Sequence, residues 1–417
     1  MAIFMCDGID RSSFGPRERG HGGVVRPAQI DGPIHSRRTT GWSWSAHLLH
    51  TLSKGNPMKH TKILPAVLLA LCGTAQAQSN VTLFGLLDLN ITRYSAGAKS
   101  GGGNLTAMND GTVNGANGSR WGVRTSEDLG GGMRAGAWLE GGVLVDTGNF
   151  AQGGRGFGRQ AFVSLSSTGV GELRVGRQYV LSDSVVGQGN PYGNAMAFNP
   201  TTSVTNVGKN LPLFLNAPRA DNIIQFQTSG LGPVTLAAQY GFGENTTDNF
   251  TGLRGIYASG PLYVGATYEW NKSRTSGDSI NKSLSVSANY DFGAFKLLGG
   301  IQRNSDLATG SSNGAASGVS NLIVTGDRTF TADTINGASV GIEVPVGSLA
   351  RLAANYTRVR YEGASGASDS LGKLAIGGWY NLSKNTLLYT SAYFANGGLK
   401  DYIAQKTVYQ AGVRTSF

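Results

Sequence analysis

The side chains that usually carry acid–base, nucleophilic or metal chemistry are confined to one end of this chain. All five histidines (His21, His35, His47, His50, His60) and both cysteines (Cys6, Cys72) precede residue 78. Residues 78–417 therefore offer no imidazole base, no thiolate nucleophile, no disulfide and no His/Cys metal site, and no cofactor or metal is expected there. Carboxylates and guanidinium groups are what remain. Of the 35 Lys and Arg, 26 lie beyond residue 77, together with 21 of the 25 Asp and Glu, a net charge of +5 spread along the segment. No basic cluster interleaved with aromatics appears, so a nucleic-acid partner is not expected. Charged residues are 14 % of the chain, against about 25 % in ordinary domains, and Gly supplies 63 of 417 residues. The mean hydropathy of −0.14 excludes a bundle of membrane helices.

The first 77 residues read as addressing. Met58 opens a basic start, Met-Lys-His-Thr-Lys, followed by the apolar run Ile63–Cys72 and the small-x-small sequence Ala75-Gln-Ala77. That is the pattern of a secretory signal peptide cleaved after Ala77. The apolar run is too short for an anchor, which needs about 20 residues. Residues 1–57 are polar, rich in Gly and Arg, and aperiodic. The expected organisation is thus 1–57 as a disordered extension ahead of the true start, 58–77 as the signal peptide and 78–417 as the working domain.

From Val81 onward the dominant period is two. In residues 262–271, Leu262, Val264, Ala266, Tyr268 and Trp270 share one face, and Gly265, Thr267, Glu269 and Asn271 share the other. Such alternation predicts strands with one apolar and one polar face. Sixteen segments show it: 81–94, 119–126, 133–145, 159–167, 171–179, 219–229, 234–242, 251–258, 262–270, 281–290, 295–304, 335–345, 350–361, 371–380, 386–395 and 407–417. Tight turns alternate with long Gly/Ser/Asn-rich loops, notably 95–118, 146–158, 180–218 and 305–334. A soluble sandwich would also alternate. Against it, the apolar faces mix Ala and Gly with Leu and Val, and aromatics (Tyr240, Phe242, Tyr268, Trp270, Tyr290, Tyr380, Tyr409, Phe417) recur near segment ends. These features predict an all-β, closed, antiparallel sixteen-stranded transmembrane barrel, with short periplasmic turns and long extracellular loops. A barrel of that size is too wide for side chains to fill and leaves an aqueous channel.

Several segments resemble the general porins of Gram-negative β-proteobacteria: Val81-Thr-Leu-Phe-Gly-Leu-Leu-Asp88, Ser119-Arg-Trp-Gly-Val-Arg-Thr-Ser-Glu-Asp-Leu-Gly-Gly-Gly132, Leu139-Glu140, Gly158-Arg-Gln-Ala-Phe-Val-Ser-Leu165, Gly171-Glu-Leu-Arg-Val-Gly-Arg-Gln178, Tyr380-Asn-Leu-Ser-Lys-Asn-Thr-Leu-Leu-Tyr389 and Gly412-Val-Arg-Thr-Ser-Phe417. The resemblance implies a homotrimer in the outer membrane, in contact with its lipid and lipopolysaccharide, and a third long loop folded into the pore. It also implies that the barrel-assembly machinery reads the terminal aromatic, here Phe417, as an insertion signal. Thr415 stands where the family ending usually has His. Loop 3 departs as well: cation-selective relatives carry an acidic cluster there, whereas residues 180–218 hold one acid, Asp183, and one base, Lys209.

Alternation places Arg120, Arg124, Arg134, Arg174, Lys373 and Arg414 on the polar face, with Asp88, Glu140, Glu172, Glu269 and Glu343. It does not by itself fix the direction of Arg159, at a strand start, or of Arg177, past Gly176, because one bulge flips a face. With Arg120, Arg124, Arg159, Arg174 and Arg177 on the wall opposite a weakly charged loop 3, the expected function is passive diffusion of ions and small hydrophilic solutes, with weak to moderate anion preference. A substrate-specific channel is the alternative, and a stacked aromatic track in the lumen would mark it. A barrel enzyme is disfavoured by the missing His. An adhesin or secretion translocator would need a passenger or plug domain.

Overall fold

The computed structural model describes residues 80–417 other than 101, 113, 192, 194–217, 308–321 and 325–328. The expected extension (1–57), the signal peptide (58–77) and Lys209 lie outside the described residues.

Sixteen strands form the wall. In chain order they are β1 (Asn80–Ser95), β2 (Arg120–Gly130), β3 (Met133–Leu144), β4 (Gln160–Ser167), β5 (Gly171–Tyr179), β6 (Arg219–Thr228), β7 (Val234–Gly241) and β8 (Asn249–Ser259). Then come β9 (Leu262–Lys272), β10 (Ser279–Asp291), β11 (Lys296–Ser305), β12 (Thr334–Val346), β13 (Ala350–Glu362), β14 (Ser368–Asn381), β15 (Thr386–Asn396) and β16 (Thr407–Ser416). Each pairs antiparallel with its chain neighbours. The sheet closes where β1 meets β16, from Leu86 opposite Ser416 to Ser95 opposite Thr407. On its other edge β1 is shared. Asn80–Leu86 pairs with β2, and Leu89–Tyr94 pairs with a short ribbon strand, Leu105–Asp110, from the first long loop. Closure matters because an unpaired edge in hydrocarbon costs several kcal/mol per unsatisfied backbone group.

All sixteen alternating segments of the sequence are wall strands, and the two faces sort as their period demands. On β9, Thr267, Glu269 and Asn271 are buried, while Val264 and Tyr268 face outward and are exposed. The outer surface carries exposed Val81, Leu83, Ile91, Val163, Ile301, Val340 and Leu352, which is favourable only against lipid. Exposed aromatics cluster at two levels. Tyr240 packs on Phe242, and Tyr268 on Trp270, at the long-loop rim. Tyr290, Phe292 and Phe295 pack together at the short-turn rim. These are the two interfacial girdles of an outer-membrane barrel.

Candidate functional site

The third long loop bends inward because its first residues find partners on the polar face. Val180 packs against Ala220, Ile223 and Phe250. A one-and-a-half-turn helix, α1 (Leu181–Val186), follows. Its first amides are satisfied by side chains of β7 and β9: Leu181 N–H donates to Gln239 Oε1 (2.9 Å), and Ser182 N–H and Oγ–H donate to the two oxygens of Glu269 (2.7 and 2.8 Å). Farther along, Arg254 donates to Ser184 Oγ (2.8 Å) and Asn289 Nδ2 to the Gln188 carbonyl (3.0 Å). Gly341 on β12 leaves room for Pro191, which a Cβ there would overlap. The described part of the loop thus runs along the polar face from β6 to β12. Replacing Glu269 with Ala removes the two hydrogen bonds it accepts from Ser182; single-channel conductance is expected to rise, and an unchanged conductance would show that the remaining contacts suffice to hold the loop.

Across from that loop stands a cluster built on β2–β6. The Glu140 carboxylate accepts from Arg159 Nε (2.5 Å), Trp138 Nε1 (3.0 Å) and Gln160 Nε2 (3.1 Å), with Arg120 at 3.6 Å. The Tyr179 hydroxyl accepts from both Arg159 and Arg219 (2.6 Å each), and the Arg219 guanidinium lies over the Tyr179 ring, 4.4 Å from its centroid. Two guanidinium groups, those of Arg159 and Arg120, thus share the Glu140 carboxylate, and a third, Arg219, joins them through Tyr179, so this wall cluster holds three guanidinium groups and one carboxylate. Glu140 is buried and its pairing with Arg159 is close, so removing either partner alone leaves an uncompensated buried charge.

Nearer the short-turn rim, Arg124 lies over Phe84 and Trp138 (5.8 and 5.7 Å), and Arg174 over Phe162 (5.2 Å) while pairing with Glu172 (2.7 Å). Phe84, Trp138 and Phe162 form a row, with Trp138 and Phe162 stacked at 6.2 Å. Asp183, on α1, acts on Arg159 through space. Asp88 and Arg414, opposite one another across the closure, hold the first long loop. Asp88 accepts from Ala116 N–H (3.0 Å), Asn117 N–H (2.7 Å) and Tyr389 O–H (2.5 Å), and Arg414 donates to Asn117 Oδ1 (2.6 Å).

Of the other polar-face charges, Arg134 is exposed near the short-turn rim, Glu343 pairs with Arg351 at 2.9 Å, and Lys373 is buried beside the Tyr393 ring, 5.2 Å from its centroid. Arg177 is the exception to the grouping read from sequence. The register of β5 on β6 shifts between Gly176 and Gln178, where Gly176 has φ 133° and Asn222, across from it, φ 56°. The extra residue lies on β6; along β5 the alternation continues, so Gln178 is buried and Arg177 stands opposite Ala161, in the row of outward Leu139. Arg177 therefore bonds Asp221, which also takes Arg155, and the Gly158 carbonyl at the outer rim. The sequence reading passed over Arg219 and Tyr179. Both were visible as the residues flanking the third long loop.

A closed sixteen-stranded barrel with a lipid-compatible exterior, a charged polar interior and an inward loop is a diffusion channel of the outer-membrane type. A family model described as Gram-negative porin matches residues 65–398, and the chain belongs to the Gram-negative porin family. It is 30 % identical over 398 residues to an outer membrane porin protein of Bordetella pertussis, covering 86 % of this chain and all of that one. Among solved structures it resembles an anion-selective porin from Comamonas acidovorans, with TM-score 0.63 and 25 % identity, covering 82 % of this chain and 100 % of that one. An outer membrane protein of Vibrio cholerae in trimer form shares the fold, with TM-score 0.59 and 16 % identity over 81 % of this chain and 99 % of that one. The protein is a general diffusion porin of the Gram-negative outer membrane: a channel, not a member of an enzyme family.

Proposed function

We propose that this porin is weakly to moderately anion-selective, and that Arg120, Arg124, Arg159 and Arg174, joined by Arg219, line the pathway against Glu140, Glu172 and Asp183. The observation that carries this is a wall cluster of three guanidinium groups and one carboxylate, with Arg159 and Arg120 on Glu140 and Arg219 joined through Tyr179, facing a loop whose described residues bring only Asp183. The anion selectivity of the Comamonas porin supports the same reading. Ions pass such a wall within a Debye length, about 8 Å at physiological salt, so the imbalance biases permeation without a tight binding site. Asp88 and Arg414 contribute chiefly by fixing the first loop against the wall.

Three further elements belong to this reading. Export uses residues 58–77, cleaved after Ala77. The mature barrels associate as homotrimers through the outer face of β3–β5. There Ala135, Ala137, Leu139, Ala161, Val163, Leu165, Leu173 and Val175 share the outward rows, with no aromatic among them. A surface that meets lipid head groups carries a girdle, whereas one that packs on another copy does not need one. No catalytic turnover is assigned.

Planar-bilayer recording tests selectivity and assembly together. Across a KCl gradient the reversal potential is expected on the anion side, and voltage closure is expected in three equal steps. A cation-side potential would overturn the selectivity; single-step closure would overturn the trimer. The second reading, a substrate-specific channel, draws on the Phe84–Trp138–Phe162 row. Conductance that saturates and is blocked by an aromatic carboxylate would favour it.

A further inference from the structure

We propose that the outer face of β11–β13 seats a phosphate group of the glycolipid in the extracellular leaflet, held between Arg303 and Arg358. The inference rests on the outer-membrane location and the barrel orientation already given, not on the selectivity of the pore. Both arginines are exposed and point away from the lumen. Arg358 stands in one cross-strand row with Ala338 and Ile301, and Arg303 in the next row with Asn336 and Arg360. They are two strands apart, roughly 10 Å between backbones, and the side chain between them in the Arg358 row is only a methyl group, that of Ala338. On the other flank of Arg358 the row continues with Gly372. Two long guanidinium arms thus overhang a shallow notch of small residues. Arg303 already leans toward β12, donating to Asn336 Oδ1 at 3.3 Å.

Neighbouring cations are paired with carboxylates. Arg360 pairs with Glu362 at 2.6 Å and bonds Ser368, and Lys282 pairs with Asp306 at 2.5 Å. Among the described residues neither Arg303 nor Arg358 makes an ion pair. Height selects the occupant. Ala350 on β13 lies opposite Tyr380 of the lower girdle. Arg358 is eight residues farther, about 26 Å along the strand, or about 20 Å of height at a 35–45° tilt, against an apolar band of about 25 Å. It stands just above the exposed Tyr356, whose hydroxyl donates to Asn396 Oδ1 at 3.1 Å. An outward Arg at mid-membrane would cost about 2–4 kcal/mol, falling to about 0–1 at the interface. At that interface the ligand at hand is an anionic head group, and a guanidinium pair matches a phosphate in charge and geometry. Below it, on β13–β16, Leu352, Ile376, Tyr380, Leu388 and Tyr409 border an apolar groove where acyl chains can lie.

The test uses full-length mature porin refolded in detergent, with diphosphoryl lipid A and its dephosphorylated form as probes. Bound lipid is counted by native mass spectrometry. The native protein should retain diphosphoryl lipid A at least tenfold more tightly than the dephosphorylated form. The R303Q/R358Q double variant should lose at least tenfold in affinity for diphosphoryl lipid A, while K384Q on the short-turn side should not. Equal retention of the two lipids by native protein overturns the proposal whether or not the variant folds. So does a folded double variant that binds as the native does. Reversal potentials of the double variant should stay native, so failure of this proposal and failure of the selectivity reading are distinguishable.

Discussion

Replacing Arg120 and Arg219 together with Gln should lower the anion-to-cation permeability ratio about threefold to tenfold in 0.1 M KCl. A unit charge about 5 Å from an ion in water is worth about 0.8 kcal/mol, reduced to about 0.5 by a Debye length of about 10 Å. That acts in opposite senses on anions and cations, so each charge changes the ratio by up to about fivefold, and less for a wider pore. The pair is chosen because of Glu140. Arg159 is bonded to it directly, so removing Arg159 deletes a charge and exposes another of opposite sign. The R159Q/E140Q double variant removes one charge of each sign, and the ratio should stay within about twofold of native. In 1 M KCl, where the Debye length is about 3 Å, the R120Q/R219Q effect should largely vanish. A ratio that moved equally in both salts would mean the substitutions act by reshaping the pore. Reversal potentials for the two double variants at two salt concentrations decide the matter.

The contrast between those two pairs shows what the sequence could and could not yield. The wall was legible because each strand has an apolar face toward lipid and a polar one toward water. That sharp solvent contrast writes a period of two into every segment from Val81 to Phe417. Glu140, Glu269 and Arg174 could be placed on the polar face by counting alone. Contacts between elements could not. Glu269 reads as one lumen carboxylate among several, yet its oxygens hold both donors of Ser182, 87 residues away. Asp88 likewise reads as lining and serves as the anchor of the first loop. Arg177 keeps the odd parity of the exposed Leu173 and Val175, so plain alternation sends it outward; grouping it with the polar wall supposed a break at Gly176, whereas the extra residue lies across from it on β6, at the left-handed Asn222. Arg219 starts its strand, but the bulge at Asn222 breaks the alternation between it and Gln225 and Gln227, so counting along the strand does not place it.

Deleting Phe417 should reduce correctly folded porin in the outer membrane by about tenfold or more, and the cause can be separated from its correlate. The terminal residue is the last stitch of closure: Phe417 N–H donates to the Gly85 carbonyl (3.0 Å) and Gly85 N–H to the Phe417 carbonyl (3.1 Å). The ring lies across Gly85, where a Cβ would collide with it, and faces outward, 61 % exposed. Losing the residue unpairs two backbone groups at a lipid-facing edge, at several kcal/mol each if they stay unsatisfied. Phe417→Ala keeps both backbone bonds and removes only the ring. If the ring is read by the assembly machinery, F417A should fail in cells yet refold normally in detergent, as judged by heat-modifiable mobility. If the ring acts through packing, F417A should be impaired in both settings. Gly85→Val should reproduce the packing defect by displacing the ring while leaving Phe417 in place. Normal refolding of the deletion together with normal assembly in cells would show that neither the stitch nor the signal resides at Phe417.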